Sequence, residues 1–141
     1  MQSGMIKFGI MERVLFGQTA ADAVAEEVSR IGASRVFLLV GGTLNNETDE
    51  VDKIKQALGD KFCGLHDNMP AHSPRDAVIE CANLARSAGT DLLITFGGGS
   101  VTDGGKAVTI CLQHNITDVD GLEPFRTVVD DDGKRNFPQY E

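Results

Sequence analysis

The sequence predicts an α/β fold, a parallel sheet with helices on both faces, and three observations carry that prediction. Short apolar runs alternate with segments of helical periodicity along the 141 residues, as they do where crossover helices join parallel strands. The 16 glycines gather between those segments rather than in repeats, where strand-to-helix turns need them. The run Leu92-Leu93-Ile94-Thr95-Phe96-Gly97-Gly98-Gly99-Ser100 delivers an apolar strand into three consecutive glycines, and helical periodicity resumes directly after them.

Taken in order, residues 6–10 and 13–16 read as short strands of a hairpin or a sheet edge. A helix over 20–31 carries Val24, Val28 and Ile31 at helical spacing and stops at Gly32, since glycine readily takes the left-handed conformation that ends a helix. Residues 35–40 form the next strand. A helix over 50–58 presents Val51, Ile54 and Leu58 on one face and ends at Gly59, and residues 62–65 make a weaker strand. The helix over 74–87 has the clearest start: Ser73 can cap it, Pro74 suits its first position and Asp76 completes a Ser-x-x-Asp capping arrangement. It stops near Gly89. Residues 92–96 are the last strand and 101–113 the last helix.

Gly104 and Gly105 lie inside the first two turns of that last helix, each at a cost of about 1 kcal/mol against alanine. That cost implies that side chains there would collide with a ligand or with the sheet. From Ile116 to Glu141 the pattern becomes irregular and acidic, with Asp130-Asp131-Asp132-Gly133-Lys134 as an exposed turn. The length suits a single domain. With no tryptophan and only 6% aromatic residues, its core is built mainly from Val, Ile, Leu and Ala.

A strand that empties into glycines and then a helix is a phosphate cradle. Glycine lets the backbone approach an anion closely, and the first N–H groups of the helix carry partial positive charge. Two common phosphate motifs do not fit. A G-x-G-x-x-G fingerprint begun at Gly97 meets Thr102 where its last glycine belongs, and a P-loop read back from Gly105-Lys106 meets Ser100 for glycine and Ala107 for Ser or Thr.

The pattern Gly-Gly-Gly-Ser-x-x-Asp-x-x-Lys after a strand resembles the iron-containing alcohol dehydrogenase family and its relatives, the glycerol dehydrogenases, maleylacetate reductases and dehydroquinate synthases. Arg13-Val14-Leu15-Phe16-Gly17 and the helix ending at Ile31-Gly32-Ala33 resemble the family's opening, and Met69-Pro70-Ala71-His72-Ser73-Pro74 stands at its Pro-Asn-Pro-Thr-like segment. The resemblance runs to about Asp120, and its specific part is the glycine loop. It implies a Rossmann-like, dehydroquinate synthase-like N-terminal domain that binds NAD or NADP. By the same resemblance Gly97, Gly98, Gly99 and Ser100 hold the pyrophosphate, Asp103 lies toward the nicotinamide and Lys106 adds charge nearby. On this reading residues 1–120 are the NAD(P)-binding domain and 121–141 an irregular acidic segment of it. The family's iron or zinc is held by one aspartate and three histidines from a C-terminal helical domain, which is absent from this sequence.

Cofactor choice is weakly written. Dinucleotide folds often place an acid beyond a strand to bond the ribose 2′-hydroxyl, but here Gly41-Gly42-Thr43 follows the strand, with Asn45 and Asn46 beyond. No carboxylate at that place enforces NAD, and no arginine selects NADP. Gly41 and Gly42 are either part of the cofactor site or a simple turn.

The net charge of −8, from 21 acidic and 13 basic residues, argues against nucleic acid and against an anionic membrane surface. No apolar run reaches the roughly 20 residues that cross a bilayer, and no signal peptide is evident, so a cytoplasmic protein is expected. Cys63, Cys81 and Cys111 have neither zinc-like nor C-x-x-C spacing and read as small buried side chains. His66, His72 and His114 lack metal-ligand spacing; His66 and His72 are candidates for lining the adenine or ribose side. The aspartates of the C-terminal segment lack the EF-hand pattern.

The expectation is therefore the cofactor-binding portion of an alcohol dehydrogenase that interconverts an alcohol and a carbonyl compound once joined to a metal-binding half. Alternatives are a metal-independent maleylacetate reductase-like enzyme, in which Asp103 is less expected, and a non-catalytic nucleotide- or phosphate-binding module. An open sheet edge would favour self-association, such as a homodimer.

Overall fold

The computed structural model describes residues 12–133 and the backbone of 135–136. Its elements are α1 (Ala20–Ile31), β1 (Val36–Val40), α2 (Gly42–Glu47), α3 (Glu50–Leu58), β2 (Phe62–His66), α4 (Arg75–Ser87), β3 (Leu92–Phe96), α5 (Gly99–Gln113), and the short β4 (Val128–Val129) and β5 (Arg135–Asn136). Three parallel strands in the order β2-β1-β3 form the sheet. Central β1 is buried along its whole length, as a strand covered on both faces must be.

Alternation along β1 sorts the core into two layers. Val36, Leu38 and Val40 face Val28 of α1 and Val51, Ile54 and Leu58 of α3. Phe37 and Leu39 face the other way, onto Val78 and Cys81 of α4 and Val101, Val108 and Cys111 of α5. Helices thus cover both faces, as the sequence predicts.

Helix ends follow local chemistry. Thr19 caps α1 by accepting from the Asp22 N–H at 3.1 Å, and Gly32 ends it at φ 78°, a conformation costly for residues with a Cβ. The Arg35 guanidinium donates to the Ala88 carbonyl at the end of α4. Arg86 likewise donates to the carbonyls of Cys111 and Ile116 past the end of α5. Cations there meet the negative end of a helix dipole. At the amino end of the sheet the Asp91 carboxylate accepts from the Ser34 N–H, the Ser34 hydroxyl and the Arg35 N–H, tying the chain before β3 to the chain before β1.

Several sequence expectations are corrected. Residues 13–16 are not a strand; Arg13 instead pairs with Glu26 and Glu27 of α1 at 2.9 and 2.7 Å, and Phe16 is exposed. Residues 6–10 lie outside the described residues. Helix α2, a single short turn-and-a-half after Gly41, has no apolar period to announce it. Ser73 does not cap α4, because Pro74 holds that position. Helix α5 begins two residues earlier than its apolar pattern suggests. The acidic C-terminal segment is less irregular than expected: a 3-10 helix spans Asp120–Phe125, and β4 pairs antiparallel with β5 around a turn in which Gly133 takes φ 76°. Leu122 and Phe125 pack on the α4–α5 layer.

Candidate functional site

In a parallel sheet all the carboxyl ends lie together, and a crevice opens where the order of connections reverses. Here β1 leads to β2 on one side, and β2 crosses back through α4 to β3 on the other, so the reversal falls between β1 and β3. The two turns that leave those strands touch. The Gly41 N–H donates to the Phe96 carbonyl at 3.0 Å. A Cβ on Gly97 would stand 2.9 Å from Val101 Cγ2 and 3.2 Å from the Gly41 nitrogen, so only glycine permits this approach.

Gly98 and Gly99 form the mouth of the turn. Nothing lies within 4 Å of where either Cβ would be, and both residues are exposed. Gly98 occupies the N-cap position of α5, where no side chain accepts from the first turn and no acid sits within it. A 15-residue helix therefore presents uncapped backbone N–H groups at the crevice, the arrangement that receives phosphate or carboxylate.

The loop after β2 forms a wall. The Ser73 hydroxyl donates to the Ser100 carbonyl at 2.7 Å, and both His72 and Ser73 take positive φ, 65° and 47°. This bond to the glycine loop accounts for the failure of the capping arrangement: the hydroxyl is engaged across the crevice. Met69 from the same loop packs on Gly104, where a Cβ would fall 2.9 Å from its sulfur and methyl carbon. Gly105 instead meets the sheet, where a Cβ would come 2.3 Å from Thr95 Cγ2. At Gly105 the collision is with the sheet, as expected, whereas at Gly104 it is with Met69 of the loop rather than with the sheet.

The structure brings Gly41, Gly97, Gly98, Gly99 and Ser100 together. Gly42 lies one residue on, at the start of α2, where a Cβ would be 3.2 Å from the Asp67 carbonyl oxygen. Asp103 and Lys106 pair with each other at 3.0 Å on the exposed surface of α5. Sequence reasoning missed Asp67, which follows β2 directly and whose carboxylate accepts from Asn45 Nδ2 at 2.7 Å. Its signal was present, an acid just past an apolar strand, but strand adjacency was needed to place it beside the β1 turn.

The histidines separate. His72 lies in the crevice wall, whereas His114 packs its ring on Phe125 at the far end of α5. His66 is buried where β2 meets α4; its Nε2 is 3.7 Å from Glu80 Oε2, and neither ring nitrogen has a hydrogen-bond partner among the described residues. Among those residues no three His, Cys, Asp or Glu side chains form a group that could hold a metal ion. Burial pushes the Cys81 thiol up to about 12, with Glu80 and Cys111 adding to the shift, and raises Cys111 as well; Cys63 is half-buried rather than buried. The groove of about 490 Å³ between Leu93 and Leu112 opens at the amino end of β3, the opposite end of the sheet from the glycine loop.

A glycine turn opening onto an uncapped helix at the switch point defines a doubly wound α/β protein with an open crevice at the carboxyl end of its sheet. The family follows from comparison: the model of the iron-containing alcohol dehydrogenases matches residues 11–137, and the chain belongs to that family. Maleylacetate reductase 2 of Cupriavidus pinatubonensis is 35% identical over 104 residues, which cover 74% of this chain and 28% of the relative. The crystal structure of maleylacetate reductase from Rhizobium sp. strain MTP-10005 superposes with a TM-score of 0.65 at 28% identity, over 77% of this chain and 30% of that one. That of the Agrobacterium tumefaciens maleylacetate reductase gives a TM-score of 0.64 at 28% identity, over 77% and 31%. The chain thus spans under a third of the length of these relatives. Among the described residues no helix is long and apolar enough to cross a membrane.

Proposed function

We propose that this chain is the cofactor-binding part of an NAD(P)-dependent oxidoreductase, with the dinucleotide pyrophosphate seated on Gly97, Gly98, Gly99 and Ser100. The observation that carries the reading is the uncapped start of α5, open at Gly98 and Gly99, at the switch point of the sheet. Residues 1–120 form the binding domain in this proposal, and 121–141 continue it. Asp103 lies one turn farther along α5, toward the nicotinamide, Lys106 adds charge about two turns along, and Gly41 and Gly42 flank the adenosine side.

Bound NAD(P) supplies the hydride acceptor or donor for interconverting an alcohol and a carbonyl compound. The chain's own residues hold and orient it: backbone N–H groups of the first turn take the pyrophosphate charge, and the Ser73–Ser100 bond fixes the crevice wall. The described residues do not fit a metal centre, and no step is assigned to one. Polarising the substrate oxygen is assigned to the part of the family's length that this chain does not span. The names of the relatives favour a second reading within the same class, a metal-independent maleylacetate reductase-like oxidoreductase.

Gly98→Asp tests the assignment. Gly98 has φ −83° and open space around its Cβ position, so the fold tolerates the change, while a carboxylate enters the anion site. Calorimetric titration with NADH is expected to show affinity falling at least about tenfold, since like charges brought together cost several kcal/mol. Unchanged affinity in a variant with the same helical circular dichroism would refute the loop assignment.

A further inference from the structure

We propose that Asp67 reads the adenosine ribose and selects a free 2′-hydroxyl over a 2′-phosphate, an inference that rests on the dinucleotide reading above. Asp67 stands at the carboxyl end of β2, on the same end of the sheet as Gly41 and Gly97. β2 neighbours β1, which neighbours β3, so two strand spacings of about 4.8 Å separate the end of β2 from the glycine loop. An adenosine whose phosphate rests on that loop extends across this distance.

The carboxylate is held in place. Asn45 Nδ2 donates to its Oδ2 at 2.7 Å in a half-buried setting, and the missing side chain of Gly42 lets the Asp67 backbone close on α2. Among the described residues Oδ1 accepts no hydrogen bond. That oxygen is an open acceptor, matched to a hydroxyl donor of a ribose diol. A 2′-phosphate would instead bring charge against charge. Neither residues 41–48 nor residues 67–74 include a lysine or arginine to receive it, whereas sites for the phosphorylated cofactor use such a residue.

The test is calorimetric titration of the chain, Asp67→Asn and Gly98→Asp with ADP-ribose and with 2′-phospho-ADP-ribose, probes free of any nicotinamide contact. The wild type is expected to prefer ADP-ribose by about tenfold or more, and Asp67→Asn to narrow that ratio by about tenfold through gain of the phosphorylated probe. Should Asp67→Asn fail to fold by circular dichroism, Asp67→Ser carries the same expectation. Equal wild-type affinities, or a ratio untouched by the Asp67 variant while Gly98→Asp still abolishes binding, would overturn this inference and leave the loop reading standing. Binding of neither probe by the folded wild type would overturn both.

Discussion

Gly104 and Gly105 are adjacent glycines in one helix, yet they are there for different reasons. A methyl group on Gly104 meets Met69, a flexible side chain that can withdraw, whereas on Gly105 it meets Thr95 Cγ2 at 2.3 Å, and a β-branched side chain has little room to turn. Gly104→Ala is therefore expected to be close to neutral, its packing cost offset by the gain of about 1 kcal/mol in helix propensity. Gly105→Ala is expected to lose about 1–2 kcal/mol by overpacking, and Thr95→Ser in the same chain to recover most of it. Urea denaturation of the three variants checks this; equal losses at both glycines would contradict the packing account. The glycine loop was legible because Gly97 to Ser100 are contiguous and their chemistry is local. Asp67 was not, because its partner Asn45 lies 22 residues away and only the pairing of β2 with β1 joins them.

The same Ser/Thr-x-x-Asp pattern occurs before α1 and before α4, and only one of the two forms a cap. Thr19 and Asp22 bond each other and the helix backbone, whereas Ser73 is drawn to the Ser100 carbonyl. A local pattern thus gives way where a loop is engaged by a distant element, and the place where it gives way is the crevice. Periodicity served α1, α3 and β1 well because each has a buried face; α2 has no buried residue and left no apolar trace. The Asp91 clamp joins β1 and β3 at the other end of the sheet. Hydrogen bonds from the Ser34 hydroxyl and from the Arg35 and Ser34 backbone hold its carboxyl below the usual range. Folded Asp91 binds a proton less readily than unfolded Asp91, so its contribution is full above the unfolded value and fades as pH falls through the folded one. Asp91→Ala is expected to lower the thermal midpoint at neutral pH, with the gap from wild type narrowing as pH falls below the ordinary carboxylate range. A gap independent of pH would show that the clamp carries no charge-dependent stability.

Across the whole molecule, the order β2-β1-β3 decides where a ligand can sit, and that order could not be read from the sequence. Alternating strands and helices predict parallel strands, but which strand lies in the centre depends on which apolar runs are buried on both sides. Val36-Phe37-Leu38-Leu39-Val40 is unbroken by polar residues, consistent with the central place it takes, whereas Cys63-Gly64 and Thr95 interrupt its neighbours. Once the order is known, the crevice between Gly41 and Gly97 follows from topology, and the uncapped start of α5 forms its floor. The most direct test is an amide-resolved NMR titration of the chain with ADP-ribose. The account predicts the largest shift changes at the backbone N–H groups of Gly98, Gly99, Ser100 and Val101, with a second group at Asn45 and Asp67. Saturable shifts confined to other parts of the fold, or no shifts from a folded sample, would contradict it.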